Sequence, residues 1–161
     1  MQSLRGLYNY NITCVRLSSY RNFIKAFGMI KKACIIANGR LGLIKKEIVD
    51  AVSQACDEVI EGKLDDQFIV DMIQGGAGTS TNMNANEVIA NRALEIMGRP
   101  KGEYTTVSPN DHINKCQSTN DTYPSSGKLG MYLDHFELVA ELEKLIDAFE
   151  KKAEEFKDVL K

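Results

Sequence analysis

One long apolar seam limits what this chain can fold into. Apolar side chains recur every three or four residues, at Tyr132, Phe136, Val139, Leu142, Ile146, Phe149, Ala153, Phe156 and Leu160. This spacing predicts a helix running to the end of the chain, roughly 55 Å long at about 1.5 Å per residue. Such a seam is typical of a helix bundle or coiled coil. Because three shorter helices cannot cover it, we expect packing partners outside these residues, and we expect the chain to be truncated.

Three shorter helices are predicted before this seam. The first spans Phe23 to about Arg40, and the second spans Lys45 to Glu61. The third follows a glycine-rich turn and ends before Gly98 and Pro100, which are common helix stops. The apolar spacing in the first helix predicts a buried face made of Phe23, Phe27, Ile30, Cys34 and Ala37.

The order of these elements predicts the fold class. Residues 99–121 are rich in Gly, Ser, Thr, Asn and Asp, and we interpret them as loop. Pro124 is expected in the first turn of the long helix, where its missing N–H does no harm. We therefore predict a mostly α protein, with a helical domain over residues 1–121 and the first long helix of a bundle over 122–161.

Charge is unevenly distributed along the chain. Nine of the 20 Lys and Arg residues precede Glu47, whereas none of the 22 acidic residues does. An acid-free start rich in Arg and Ser suggests a mitochondrial transit peptide or a nucleic-acid-binding arm. We favour a third interpretation, in which the basic and acidic parts pack on oppositely charged neighbours. With no apolar run near the ~20 residues of a membrane span, we predict a cytoplasmic protein without membrane or nucleic-acid partners.

The cysteines and histidines do not form a metal-binding pattern. Cys14, Cys34, Cys56 and Cys116 are far apart, with no CxxC motif, and the only histidines are His112 and His135. A zinc site is therefore not expected. Without a secretory signal, buried and reduced thiols are the default.

A polar, glycine-rich segment opens the third helix. Gln74–Arg92 reads QGGAGTSTNMNANEVIANR, and its hydroxyl and amide side chains are Thr79, Ser80, Thr81, Asn82, Asn84 and Asn86. Glycines let a backbone approach a ligand closely, and free amides at a helix start favour an anion. The segment is a candidate carboxylate- or phosphate-binding turn, although an ordinary turn has the same composition. A nucleotide is disfavoured, because the P-loop Gly-Lys-Ser/Thr ending and the third Rossmann glycine are missing.

A second polar segment precedes the long helix. Pro109–Pro124 reads PNDHINKCQSTNDTYP, in which Ser118, Thr119 and Asn120 are three consecutive hydrogen-bonding side chains. Such groups can grip a carboxylate, but they can also simply cap the helix. Together the two segments could face one small anionic ligand. His112 is a weaker candidate for a base, because Asp111 and Asn114 can satisfy it; Cys116 is expected to pack inside the loop.

These two segments resemble the first two signature regions of the aspartase/fumarase superfamily. The run Gly-Gly-Ala-Gly-Thr-Ser at 75–80 is similar to the aspartate ammonia-lyase form, whereas fumarases typically have Ser-Gly-Thr-Gln-Ser. Lys-Cys-Gln-Ser-Thr-Asn-Asp at 115–121 also resembles aspartases. Ser108 stands where fumarases carry a histidine that helps form a second anion site, so that site is expected to be absent. The opening Ser3–Ile12 and the long helix are similar to the same superfamily.

The resemblance implies an activity and a set of roles. The family eliminates ammonia reversibly from L-aspartate to give fumarate, as a cytoplasmic homotetramer that needs no cofactor. Thr79 matches its carboxylate-contacting threonine, and Ser118, Thr119 and Asn120 match its substrate-binding triplet. The third signature loop, which carries the catalytic serine, has no match here, so no catalytic residue is assigned. We expect an inactive N-terminal fragment of an aspartase; the alternatives are a class II fumarase or related lyase, and a non-catalytic helical scaffold.

Overall fold

A computed structural model describes residues 1–74 and 76–160, and this part of the chain is helical. The five α-helices are α1 (Gln2–Asn9), α2 (Arg21–Arg40), α3 (Lys46–Glu61), α4 (Thr79–Ile96) and α5 (Thr119–Glu155). Short 3-10 turns cover Leu17–Ser19 and Asp65–Gln67, and a π-helical turn covers Pro109–Ile113. Within the described residues there is no β-strand, only an isolated bridge between Arg16 and Asp71. The predicted mostly α class is confirmed.

The three shorter helices lie close to their predicted bounds. α2 begins two residues before Phe23, and α3 begins one residue after Lys45. Gly62 ends α3 with a φ of +87°, a conformation that favours glycine. Helix α1 was not predicted, because the first 22 residues show no sustained apolar period.

The predicted buried face of α2 is wrong. Of the predicted residues only Phe27 is buried, and Ala37 is exposed. The residues that face the interior are Ile24, Ala26, Phe27, Gly28, Lys31, Ile35 and Asn38. The reason is close packing on α3: a Cβ on Gly28 would lie 2.9 Å from Ile60 Cγ1. The small residue sets which side approaches the neighbour, and apolar spacing alone does not reveal it.

Two carboxylates from later in the chain hold its first 14 residues. Glu87 on α4 accepts hydrogen bonds from the backbone amides of Gln2 and Ser3 at 2.7 and 3.0 Å, which caps α1. Asp71 accepts from the amides of residues 12–14 at 2.7–3.1 Å. We call these three residues the Asp71 turn. Burial acts to raise the pKa of Asp71, but hydrogen bonds from the Ile73 amide, from the Thr13 amide and side chain and from the Ile12 amide outweigh it and lower the pKa to about 2.

Helix α5 differs from its prediction at both ends. It begins at Thr119, three residues before the predicted boundary, and it ends at Glu155 rather than running through Leu160. Pro124 therefore lies in the second turn, not in the first. The reason is a capping box at Ser118 that starts the helix early. The division into domains at residues 121 and 122 stays a prediction.

Only the first turns of α5 pack on the other helices. A Cβ on Gly130 would lie 3.1 Å from the Phe23 Cα, so α5 and α2 approach closely there. Beyond this point the apolar seam is exposed, which confirms that the shorter helices do not cover it; its large members are Tyr132, Phe136, Val139, Leu142, Ile146, Phe149, Phe156 and Leu160. No helix in the described ranges is both long and apolar enough to cross a membrane.

Candidate functional site

The structure brings the two polar segments together at the starts of α4 and α5. Gly78 caps α4 with a φ of +86° and lies directly against the ring of Tyr123 on α5. A Cβ on Gly78 would fall 2.1 Å from Tyr123 Cγ, so no other residue fits without moving the ring. The ring is itself held edge-on against Phe23, with centroids 5.7 Å apart. Gly75, at the start of the same turn, lies outside the described residues.

One buried amide links the two segments by hydrogen bonds. Asn82 on α4 is 1% exposed, and its Nδ2 donates to Asn114 Oδ1 at 3.0 Å and to Thr119 Oγ1 at 3.3 Å. Its Oδ1 accepts from Thr122 Oγ1 at 3.0 Å. Both ends of this amide are therefore satisfied, and the start of α5 is fixed against α4.

The four predicted binding residues have different environments. Thr79 is the exposed first residue of α4, and Asn120 is exposed in the first turn of α5. Neither of these two side chains has a hydrogen-bond partner among residues 1–74 and 76–160. Thr119 is half-buried and accepts from Asn82. Ser118 Oγ accepts from the Asn120 amide at 3.1 Å, so it caps the helix, as its residue type allowed.

The helix start at Thr79 is partly occupied by the chain itself. The Thr81 amide donates to Gln74 Oε1 at 2.9 Å, and the Gln74 amide nitrogen contacts Thr81 Oγ1. One of the amides expected to favour an anion is therefore taken by a side chain. A ligand at this end would meet the exposed Thr79 instead.

A buried lysine beneath the second segment was missed by sequence reasoning. Lys31 is 1% exposed, and its Nζ donates to Gln117 Oε1 at 2.9 Å and to Asn114 Oδ1 at 3.1 Å. Burial lowers the pKa of Lys31 to about 7, against smaller opposing effects of Cys34 and Cys56. The signal that could have found it is its spacing, four residues from Phe27 and four from Ile35 on α2.

His112 and Cys116 differ from their expected settings. His112 Nδ1 accepts from the Ser108 amide at 2.9 Å, so the predicted partners Asp111 and Asn114 are wrong. Burial lowers the pKa of His112, and the hydrogen bond from the Ser108 amide holds the ring within the loop. Cys116 is exposed rather than packed, and it holds a φ of +57°.

The remaining cysteines also correct the expectation of buried thiols. Cys14 is exposed, Cys34 is half-buried and only Cys56 is buried. Burial raises the pKa of the Cys56 thiol to about 12. Across the described part of the chain, no group of three or more His, Cys, Asp or Glu side chains is placed to hold a metal ion.

Comparisons with known proteins identify relatives of this chain. A family model described as "Lyase" matches residues 1–161. An aspartate ammonia-lyase of Helicobacter pylori (strain J99) is 56% identical over all of this chain and 34% of its own length. The crystal structure of a Brucella melitensis "fumarate lyase:delta crystallin" superposes with a TM-score of 0.93 at 47% identity, covering 96% of this chain and 35% of the other.

A class II fumarase from Schistosoma mansoni is less similar. It gives a TM-score of 0.75 at 36% identity, covering 81% of this chain and 27% of its own. The chain spans about a third of the length of the curated relatives that it matches.

Proposed function

Because the chain belongs to the lyase family, we propose that it supplies two substrate-binding loops of an aspartate ammonia-lyase. The reaction is the reversible elimination of ammonia from L-aspartate to give fumarate. The name of the 56% identical relative supports this choice. Ser108 and the weaker similarity to the Schistosoma fumarase favour it over fumarase.

The main structural support for this function is that Asn82 joins the two loops. Asn82 donates to both Asn114 and Thr119, which ties the start of α5 to the helix that begins at Thr79. The exposed side chains of Thr79 and Asn120 therefore lie on one rigid unit. Hydroxyl and amide donors on such a unit suit a carboxylate, whose two oxygens accept several hydrogen bonds.

The chemistry assigns these loops a binding role. A general base removes a Cβ proton, and negative charge develops on the adjacent carboxylate as an aci-carboxylate. Donors fixed in advance around that charge lower the barrier, since they do not reorganise during the reaction. Thr79, Ser118, Thr119 and Asn120 are the donors that we assign to binding the substrate carboxylates, in the ground state as well as in the transition state. His112 is not assigned as the base, because its Nδ1 already accepts from the Ser108 amide.

The catalytic serine and the packing partners lie outside these residues in this proposal. We expect the 161 residues alone to be inactive, and we expect no metal or organic cofactor to be needed. The exposed seam of α5 supports packing against further helices of a bundle. From the resemblance we propose a cytoplasmic homotetramer with no membrane or nucleic-acid partner.

A chimera tests the function directly. The 161 residues replace the matched part of the Helicobacter pylori relative, and fumarate formation from L-aspartate is followed by ultraviolet absorbance. We expect an active chimera and no activity from the 161 residues alone. A folded, tetrameric chimera without activity contradicts the proposal, and dehydration of L-malate as the faster reaction indicates a fumarase.

Matched substitutions test the binding residues. A lost hydrogen bond to a charged group is worth about 1.5–3 kcal/mol, so Thr79→Val or Asn120→Ala in the chimera should lower kcat/KM about 10- to 150-fold. Thr105→Val is the control, because Thr105 is an exposed threonine in another loop. Equal effects of the Thr79 and Thr105 substitutions would contradict the assigned role.

A further inference from the structure

Lys31 is a charged group where the helical core should be apolar. It lies on the buried face of α2 between Phe27 and Ile35, and it is 1% exposed. Lysine is almost never fully buried unless it is paired. Its neighbour Lys32 shows the ordinary arrangement, with Nζ 2.6 Å from the carboxylate of Asp57 at the surface.

No carboxylate neutralises Lys31 among the residues that the structure describes. Its Nζ donates instead to two neutral side-chain carbonyls, Asn114 Oδ1 at 3.1 Å and Gln117 Oε1 at 2.9 Å. Burying an ammonium group without a counter-charge is unfavourable, and an apolar side chain of similar size would cost less. Fold stability therefore does not explain why this position holds a lysine.

Both acceptors belong to the loop that leads into Ser118. Asn114 Oδ1 is the junction of that loop, because it also accepts from Asn82 and from Asn86 on α4. Asn114 Nδ2 in turn donates to the Gln117 backbone carbonyl at 2.9 Å. Asn114 Oδ1 thus accepts hydrogen bonds from side chains of α2 and α4. The other end of the same amide closes the loop through its hydrogen bond to Gln117.

The loop between the two acceptors is strained. Cys116 has a φ of +57°, in the left-handed region that residues with a Cβ rarely adopt. Cys116 is exposed, so its own side chain does not hold this conformation. Gln117, the next residue, is held by Lys31 and also donates to the Ile113 carbonyl at 2.8 Å. Contacts on both sides of the strained residue must offset its cost.

We propose that Lys31 is a positioning residue for substrate binding, which acts by clamping Asn114 and Gln117 so that the loop presents Ser118, Thr119 and Asn120. Lys31 does not touch the substrate in this role; it fixes the groups that do. The role rests on the proposed function, because it assumes that the loop binds a dicarboxylate. This role gives a function to the buried Lys31 side chain, which takes no part in the elimination reaction itself.

Loop order is measured first, on the 161-residue chain itself. We expect Lys31→Met to speed hydrogen–deuterium exchange of the peptide covering residues 114–120 at least tenfold, with little change in α3. Lys32→Met is the matched control, because it removes the adjacent lysine and only a surface ion pair; we expect it to leave exchange of the loop unchanged. Equal exchange in the Lys31→Met variant and the unmodified chain would overturn the role, whether or not the chimera is active.

Substrate binding is measured in the chimera. We expect Lys31→Met to raise KM for L-aspartate and the inhibition constant of succinate about tenfold, with kcat changed less than threefold, because a binding contribution is lost. Lys32→Met should leave all three within twofold. Lack of activity in the unmodified chimera refutes the proposed function, and loop exchange then decides the role of Lys31 by itself.

A destabilised control separates positioning from simple stability. Val52→Ala leaves a cavity on the buried face of α3, where Val52 is 0% exposed, and it removes no contact of the loop. We expect it to lower the melting temperature while KM and the succinate constant stay within twofold. If KM rises with the loss of stability in Val52→Ala as it does in Lys31→Met, the lysine is only structural and the positioning role is wrong.

Discussion

The contact between Gly78 and Tyr123 allows a sharp test of how the two loops are held together. Gly76 and Gly78 lie two residues apart in the same turn, with φ of +73° and +86°. A Cβ on Gly76 would meet nothing within 4 Å, whereas one on Gly78 would fall 2.1 Å from Tyr123 Cγ. The substitutions Gly76→Ala and Gly78→Ala therefore share the backbone cost and differ in one contact.

The expected magnitudes follow from this difference. Alanine in the left-handed region costs about 1–2 kcal/mol, partly offset by a less flexible unfolded chain. We expect this cost alone for Gly76→Ala. Gly78→Ala must also displace the Tyr123 ring from Phe23, and overpacking of this kind costs about 1–3 kcal/mol more. The excess corresponds to a melting temperature lower by about 2–4 °C for each kcal/mol.

Urea unfolding of the chain, followed by circular dichroism, measures both variants. Tyr123→Ala supplies the control, since the excess cost of Gly78→Ala should disappear when the ring is absent, as a double-mutant cycle shows. Equal destabilisation by Gly76→Ala and Gly78→Ala would refute the reasoning. So would an excess that persists without the ring, because the steric contact would then not be its cause.

Four further predictions concern single groups. The exposed thiols of Cys14 and Cys116 should react with a maleimide before either of the other two cysteines, as peptide mass mapping will show. The pKa of Lys31 is about 7 in the folded chain, against 10.5 for an ordinary lysine, so the unfolded chain binds more protons between these two pH values. Relative to Lys31→Met, the unfolding free energy from urea titrations should therefore rise by about 1.5 kcal/mol between pH 7 and about 8.5. The Asp71 carboxyl should titrate near pH 2 by NMR, so the Asp71 turn is stabilised above pH 3.8 and loses this stabilisation as the pH falls through 2. Ser118→Asp should keep the helix cap but remove the donor and repel a carboxylate, so the melting temperature of the chimera holds while KM for L-aspartate rises at least tenfold.

The bounds of the shorter helices could be predicted because local signals decide them. Gly62 ends α3 in a left-handed conformation that a glycine adopts easily, and such a signal needs no tertiary contact. The start of α5 was predicted three residues late, because the capping box of Ser118 and Asp121 was not used to place it. Helix α1 was missed because its cap comes from Glu87, 84 residues away from Ser3.

The candidate site could be predicted in part for the same reason. Ser118 and its neighbours stand out as consecutive polar side chains before a helix, and Thr79 stands out after a glycine run. Capping does not count against binding at Ser118: its oxygen accepts from the Asn120 amide, and its hydroxyl proton is still able to donate. What the sequence could not show is that Asn82 joins the two segments.

The burial of Lys31 was not predicted for the same reason that the buried face of α2 was predicted wrongly. The observed buried positions lie about one residue after the predicted ones, which is a rotation of roughly 100° about the helix axis. On the predicted face Lys31 is at the edge, where a lysine extends into solvent; on the observed face it is at the centre. Its two acceptors are 83 and 86 residues away, so no local pattern distinguishes it from Lys32. The close contacts of Gly28 and Gly39 with α3 decide which face of α2 is buried. The same contacts place Lys31, the one buried lysine of the described residues, beneath the loop.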